Sequence, residues 1–135
     1  MTDEATRSQW TKWCRRKGWP VIGDKVRIRL AGPRDGGAPR SHSVEVCSVP
    51  GGFELKSLAS CARDTDGRSD IALELWIWNR SLDLVGVRRD DRGDVVAQAW
   101  IPCPGMDADE FTFVALHLAR EADRLEFLLT ANDAN

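Results

Sequence analysis

The 135-residue sequence has no tyrosine, two histidines and no apolar run close to the roughly 20 residues that a membrane-spanning helix requires. It also lacks the basic-then-apolar N-terminal pattern of a signal peptide, so we expect a cytoplasmic protein with no membrane contact. The formal net charge of −2 provides no overall attraction to nucleic acid, and we expect no nucleic-acid partner.

Cysteine is sparse, and none of the four cysteines belongs to a CxxC pair. A zinc site requires three or four Cys or His ligands at short, paired spacing, and the sequence lacks that pattern. We expect reduced thiols that behave as small buried hydrophobic residues. The four positions are Cys14, Cys47, Cys61 and Cys103.

Motifs of common catalytic and nucleotide-binding sites are also missing, namely GxSxG, HExxH, GxGxxG and a Walker loop. His42 lies at the predicted edge of a strand, and His117 is predicted to be a solvated or capping side chain within a helix. Residues 64–67 resemble the start of a calcium loop, but the later ligands of such a loop are absent. Other acidic residues sit at turns and helix starts. We therefore predict no catalytic residue, no metal and no cofactor.

The composition, 42% apolar and 30% charged, is typical of a globular protein, and the length suits one domain over residues 1–135. A helix is predicted over residues 3–17, because Trp10 and Trp13 share one helical stripe and Gly18 supplies the stop. Both tryptophans are predicted to anchor the core.

Three strands are predicted to follow this helix. Apolar and charged residues alternate strictly in Lys25–Leu30, which is typical of a half-buried strand. A tight turn at Pro50–Gly52 joins the predicted strands Ser43–Val49 and Phe53–Ala59. Residues 31–41 are rich in glycine and proline, so we expect them to form the longest and most mobile loop.

Residues 70–82 fit two kinds of secondary structure. Ile71, Leu73 and Leu75 alternate with other residues as they would in a strand. The same segment contains good helix formers, and either Ser69 or Asp70 is a suitable N-cap for a helix. The local pattern alone does not decide between them.

A hairpin and a long helix are predicted to end the chain. Asp83–Arg89 and Asp94–Ile101 read as two strands joined by a polar turn. Asp107 and Glu110 form a capping-box-like pair at the start of an amphipathic helix. The polar tail Thr130–Asn135 is expected to fray.

From Phe53 onward the chain resembles the YbjN-like family, whose fold is shared with type III secretion chaperones. The common features are hydrophobic strand pairs around an acidic-Gly turn, followed by a long helix. The resembling stretches are FELKSLASC, DIALELWIWN, LDLVGVRRDDRGDVVAQAWIP and DADEFTFVALHLAREAD.

This resemblance implies a two-layer α+β fold, an antiparallel sheet with helices on one face, in the order α-β-β-β-α-β-β-α. It also implies a helix at residues 70–80, which decides the ambiguous segment. Members of the family are expected to be cytoplasmic bacterial proteins that often form dimers and bind client or partner proteins. Some resemble regulators of stress or motility, and the family carries no catalytic residues.

Tryptophan is abundant, with six residues in the chain. On a helix, Trp76 and Trp78 diverge by about 200°, so one of them is exposed or covers a second subunit. Strand alternation places Trp100 on the outer sheet face, where Arg27 and Arg29 of the first strand also point. Exposed tryptophan near arginine is typical of binding hot spots, and these five residues are the predicted partner-binding site.

We predict a non-enzymatic protein-binding module, chaperone-like or adaptor-like, that forms a homodimer and binds a client protein. One alternative is a regulatory sensor domain that binds a small ligand. The other is an unrecognised enzyme that uses Cys47, Cys61 or Cys103 as nucleophile. A sheet-based nucleic-acid reader would need basic residues interleaved with aromatics, a pattern that the first strand alone approaches.

Overall fold

The computed structural model describes residues 2–30, 40–61, 70–102 and 105–133. Most of the predicted 31–41 loop, the 64–67 turn and Cys103 lie outside these residues. The elements in chain order are α1 (Thr2–Arg16), β1 (Val21–Ile22), β2 (Lys25–Arg29), β3 (Ser41–Val49), β4 (Gly52–Ser60), α2 (Ile71–Asn79), β5 (Gly86–Arg89), β6 (Val95–Pro102) and α3 (Ala108–Asp133). The predicted α+β class is confirmed.

The described strands form one antiparallel sheet in the order β1-β2-β3-β4-β6-β5. The sequence-based order missed β1, which adds a strand between the first helix and β2. This strand has two residues, and Val21 pairs with Val26. A two-residue turn joins β1 to β2, and Gly23 within it has φ +61°, the left-handed region that such hairpin turns use. So short a strand has no detectable alternation, and the pattern therefore could not reveal it.

Both long helices pack on one face of the sheet around Phe111 of α3. The Phe111 ring lies 6.2 Å from Trp10, 5.6 Å from Trp13 and 5.8 Å from Phe53, measured between ring centroids. Trp10 is 1% exposed and Trp13 is half-buried against the same core, as expected for anchors of α1. Such aromatic contacts join α1, α3 and β4 into one core.

The C-terminal end of α1 is closed by two backbone hydrogen bonds. Trp19 N donates to Cys14 O at 3.1 Å, and Gly18 N donates to Arg15 O at 3.0 Å. Gly18 has φ +79°, so this is the Schellman arrangement in which glycine ends a helix. Burial raises the pKa of the Cys14 thiol to about 12, so this side chain is an inert part of the core.

Residues 71–79 form a helix, as the family resemblance implied, and the strand reading of this segment is wrong. Ile71 and Leu75, one helical turn apart, are buried against the core. The strand that follows begins at Gly86 rather than at the predicted Asp83, because Leu84 has φ +67°, which is incompatible with a strand.

The final helix begins as predicted, with Asp107 Oδ1 accepting a hydrogen bond from Glu110 N at 2.8 Å. It ends later than predicted, since α3 continues through Asp133 into the tail that we expected to fray. Within the described ranges, no helix has the length and apolarity to span a bilayer.

Candidate partner-binding surfaces

Trp76 and Trp78 of α2 point in different directions, as the helical angle between them requires. Trp76 is 60% exposed, and the Arg80 guanidinium lies 5.3 Å from its ring centroid. Trp78 is half-buried against the core and is covered by Arg124 of α3 at 5.5 Å. Trp76 is therefore available to a partner, whereas Trp78 helps to hold α2 against α3.

Trp76 belongs to an apolar stripe on the exposed side of α2. Leu73, Trp76 and Ile77, spaced at i, i+3 and i+4, are 59%, 60% and 53% exposed, and we call them the α2 stripe. The buried residues of α2 occupy its other side, so this short helix is apolar on both sides. A helix that is hydrophobic all round is normally buried on both sides.

A second exposed apolar site lies where α3 passes the segment after α2. His117 Nε2 is 3.0 Å from Asp83 O, and its ring stacks on Phe113. Phe113 is 62% exposed, and so is Leu84, the residue that follows Asp83. His117 is thus bound to the 83–84 segment rather than fully solvated. Sequence reasoning missed Phe113. The available signal was an aromatic residue that falls outside the apolar helical stripe to which Phe111 belongs.

The outer sheet face carries Trp100, which is 57% exposed. Four residues before Trp100 on β6, Val96 pairs with Leu58 of β4, and Leu58 is 46% exposed. The row between these apolar positions is polar, with Lys56 opposite Gln98. Within the described part of the chain, no helix packs on this face, so we call it the open face. Strand alternation placed Trp100 there, whereas sequence reasoning missed the Leu58–Val96 pair, because pairing between strands is not visible in either strand alone.

Charges of both signs surround the apolar positions of the open face. Lys56 Nζ lies 3.0 Å from Glu54 Oε1, and Arg88 Nε donates to Gln98 Oε1 at 2.6 Å. A depression of about 430 Å³ lies over the Leu58–Val96 pair. Mixed charge around an apolar floor favours a polar, sequence-selective contact over a general electrostatic one.

Arg27 and Arg29 lie on the outer side of β2, at the far edge of the open face from Trp100. Arg27 Nη1 donates to Ser41 Oγ at 3.0 Å. A depression of about 300 Å³ beside them reaches Gly18 at the end of α1. The predicted partner-binding residues are thus spread over three places: Trp76 with Trp78 on α2, Trp100 on β6, and the two arginines on β2.

Cys47 lies on the outer side of β3 and His42 on the side that faces the helices, so the two cannot act as a nucleophile and its base. Burial raises the pKa of the Cys47 thiol, and Glu45 raises it further, while Lys56 acts in the opposite direction. This environment disfavours the thiolate that a cysteine nucleophile needs.

A hydroxyl, an imidazole and a carboxylate meet at His42. Its Nδ1 lies 3.0 Å from Ser57 Oγ and its Nε2 lies 3.2 Å from Glu126 Oε2. Ser57 is 2% exposed, and its hydroxyl donates to Ser43 O at 2.9 Å. Because that bond uses the hydroxyl proton, Nδ1 must donate to Ser57 and cannot accept a proton from it. The cluster therefore connects the sheet to α3 and is not arranged as a nucleophile with its base.

Among the residues that the structure describes, no group of three or more His, Cys, Asp or Glu side chains is placed to hold a metal ion. Described cysteines Cys14, Cys47 and Cys61 are free thiols.

No protein-family model matches the chain, and no curated protein matches it. Its architecture is that of an α+β domain with an open antiparallel sheet. Solved structures with this fold include YbjN, a proposed transcription regulator from E. coli, at 13% sequence identity and a TM-score of 0.57, over 92% of this chain and 88% of that chain. The resemblance to the YbjN-like family is confirmed at the level of the fold.

Two further structures of similar fold are protein complexes. The ExsC–ExsE complex matches at 17% identity with a TM-score of 0.61, over 96% of both chains. The heterodimeric ExoU–SpcU complex from the type III secretion system of Pseudomonas aeruginosa matches at 19% identity with a TM-score of 0.57, over 87% of this chain and 94% of that chain. The chain therefore shares its fold with YbjN and with type III secretion chaperone complexes.

Proposed function

We propose that this chain is a non-enzymatic, cytoplasmic protein-binding module, chaperone-like or adaptor-like, that holds a segment of a client protein against its open face. The observation that carries the proposal is the exposure of Trp100 on a sheet face that none of the described helices covers. Most of the binding energy at protein interfaces comes from a few residues, and tryptophan is enriched among them. The solved complexes of similar fold support a protein as the partner.

The spacing of apolar positions suits an extended client segment. Trp100 and Val96 are four residues apart on β6, which corresponds to about 13 Å along a strand. Val96 is itself only 7% exposed, so the contact at this end is made by Leu58, its exposed partner on β4. A client segment in extended conformation can therefore place side chains on Trp100 and Leu58 and cross the polar Lys56–Gln98 row between them. The charged residues around these positions would then select among clients, since like-charge contacts penalise the wrong partner.

A homodimer formed through the α2 stripe is part of the same proposal. Leu73, Trp76 and Ile77 are each more than half exposed, and a two-fold axis would set each stripe against its copy. The α2 stripe and the open face involve different residues. Each copy of the dimer could thus bind a client segment of its own.

Photo-cross-linking from a defined position tests client binding. Trp100→benzoylphenylalanine, expressed in the native host, is expected to give a discrete protein adduct. The same probe at exposed Arg120 should give none, and Leu58→Glu should abolish the adduct from position 100. Equal adducts from both positions, or none from position 100, would contradict client binding at the open face.

The second candidate is a sensor domain that binds a small ligand, because the depression of about 430 Å³ over Leu58 and Val96 is of the size that small ligands occupy. A thermal-shift screen of metabolites discriminates between the two. A metabolite that raises the Tm of the wild type but not that of Leu58→Glu would favour the sensor.

A further inference from the structure

We propose that the corner formed by the end of α1 and the outer side of β2 binds an acidic segment of the client, rich in Asp or Glu. This inference rests on the proposed client binding and adds the chemistry of a second contact. We define the basic corner by five exposed cations. They are Arg15, Arg16 and Lys17 at the end of α1, and Arg27 and Arg29 on β2.

A depression of about 300 Å³ connects the end of α1 with the outer side of β2. Gly18, directly after the three cations of α1, lines it together with Arg27 and Arg29. The two arginines are two residues apart on one strand, so their Cα atoms are about 7 Å apart on the same face of the sheet. The three cations of α1 come directly before Gly18 in the sequence, so all five positive charges lie in or next to residues that line the depression, in a chain whose formal net charge is −2.

These charges are not neutralised by the described side chains of residues 9–30, 40–61, 70–102 and 105–129, since none of their carboxylates forms an ion pair with the basic corner. Arg27 donates to Ser41 Oγ, which orients its guanidinium but leaves its charge uncompensated. The nearby Arg40 differs, because its Nη2 lies 2.6 Å from Asp123 Oδ2. A cation cluster of this kind lowers its repulsion by binding an anionic partner.

The C-terminal end of α1 repels an anion less strongly than a helix end with unpaired carbonyl groups would. Exposed carbonyl groups give such an end a partial negative charge. Here the hydrogen bonds from Trp19 N and Gly18 N occupy the carbonyl oxygens of Cys14 and Arg15. Positive side chains therefore dominate the local field.

The corner is continuous with the open face. Arg27 on β2 lies three strands away from Trp100 on β6. The residue paired with Arg27 on β3 is Ser43, which is four residues from Cys47, and Cys47 lies level with Trp100 across the paired strands. Strand spacing then separates Arg27 from Trp100 by about 20 Å, a distance that an extended segment of about six residues spans. Arginine suits carboxylates because its planar guanidinium donates two parallel hydrogen bonds. An acidic run next to the apolar residues of the client would fit both sites at once.

A peptide titration followed by NMR tests the acidic segment directly. Hexaglutamate, added to the ¹⁵N-labelled full chain at low ionic strength, is expected to shift the amide signals of Gly18, Arg27, Arg29 and Ser41. Arg27→Gln with Arg29→Gln should weaken binding about tenfold, which corresponds to the loss of two exposed ion pairs. Added salt should weaken wild-type binding more than that of this double variant.

The matched control is Arg89→Gln with Arg120→Gln, which removes the same charge from two exposed positions outside the corner and outside the depression over Leu58 and Val96. If both double variants lose affinity equally, binding follows net charge and the proposed site is wrong. If an oligothymidylate strand binds and shifts the corner amides while hexaglutamate does not, the partner is a nucleic acid and the proposal is overturned.

The two proposals can fail separately. Suppose that position 100 cross-links to a client but hexaglutamate does not bind. This result would overturn the proposed binding of an acidic segment at the basic corner and would leave client binding at the open face in place. Hexaglutamate binding at the corner without any cross-link from position 100 would support the anion site and refute client binding at the open face. All four substituted side chains are exposed, so unchanged circular dichroism is expected to show that both double variants fold.

Discussion

The side-chain amide of Asn79 makes two hydrogen bonds to the backbone of one residue, Val87. Asn79 Nδ2 donates to Val87 O at 2.9 Å, and Asn79 Oδ1 accepts from Val87 N at 2.7 Å. Val87 lies in β5, the strand at one edge of the sheet, so the amide occupies a position that an added strand would otherwise take. This pair of bonds attaches the end of α2 to the edge and protects the edge from pairing with another chain.

Asn79→Ala is expected to lower the free energy of unfolding by about 1–2 kcal/mol, because two backbone groups lose their partner. Asn79→Asp retains one acceptor but places a carboxylate oxygen against Val87 O, so we expect a similar or larger loss. Urea denaturation monitored by tryptophan fluorescence measures both. Ser81→Ala, which removes the exposed bond from Ser81 Oγ to Trp78 O, is the control and should change stability far less. Equal stability of Asn79→Ala and the wild type would contradict this role.

The α2 stripe predicts the assembly state. Ile77→Glu is expected to convert a homodimer into a folded monomer, because a buried carboxylate without a partner is strongly unfavourable at a dimer interface. Light scattering at micromolar concentration measures the mass. Trp100→Glu, which changes an equally exposed apolar residue on the open face, should leave the dimer intact. A wild-type monomer would refute dimerisation through α2.

Phe111 and Phe113 provide a matched pair for the core. Phe111 is fully buried among three aromatic rings, whereas Phe113 is 62% exposed two residues further along the same helix. We expect Phe111→Ala to lower the free energy of unfolding by about 3–5 kcal/mol and Phe113→Ala by at most about 0.5 kcal/mol. Denaturant titration of the two variants decides this, and losses of similar size would show that α3 packs differently.

The thiol of Cys47 should react slowly with alkylating reagents. Since burial and Glu45 raise its pKa, less thiolate is present at any pH below that pKa than in an unstructured peptide. Alkylation, followed by peptide-resolved mass spectrometry, should lag behind such a peptide at pH 8 and approach it as the pH rises. Glu45→Gln removes a charge that raises the pKa and should speed the reaction. Lys56→Gln removes a charge that lowers it and should slow the reaction. Rates that move in the opposite directions would show that the electrostatic assignment is wrong.

Local patterns were enough for much of the fold. Alternation defined β2, the Asp107–Glu110 pair defined the start of α3, and Gly18 marked the end of α1, because each depends on residues that are neighbours in sequence. The α2 helix needed more than its own pattern, since both periodicities fit residues 70–82. The family resemblance supplied the answer, and the burial pattern agrees with it. Ile71 and Leu75 are buried while Leu73 between them is 59% exposed, whereas a strand would place all three on one face.

The candidate surfaces were predicted less completely. The geometry of a helix separates Trp76 from Trp78, and the alternation of a strand places Trp100 outside the core, so both followed from the sequence. The Leu58–Val96 pair and the exposure of Phe113 did not, because each depends on which elements meet and which face remains uncovered.

The sequence by itself determined the class of fold, the faces of its strands and helices, and the direction of its exposed tryptophans, since period and capping act over a few residues. Tertiary structure alone decided that β1 exists, that Asn79 binds the edge of β5, and that the end of α1 joins β2 in one basic corner. Those features depend on contacts between residues distant in the chain, and a single sequence carries no local signal for such contacts.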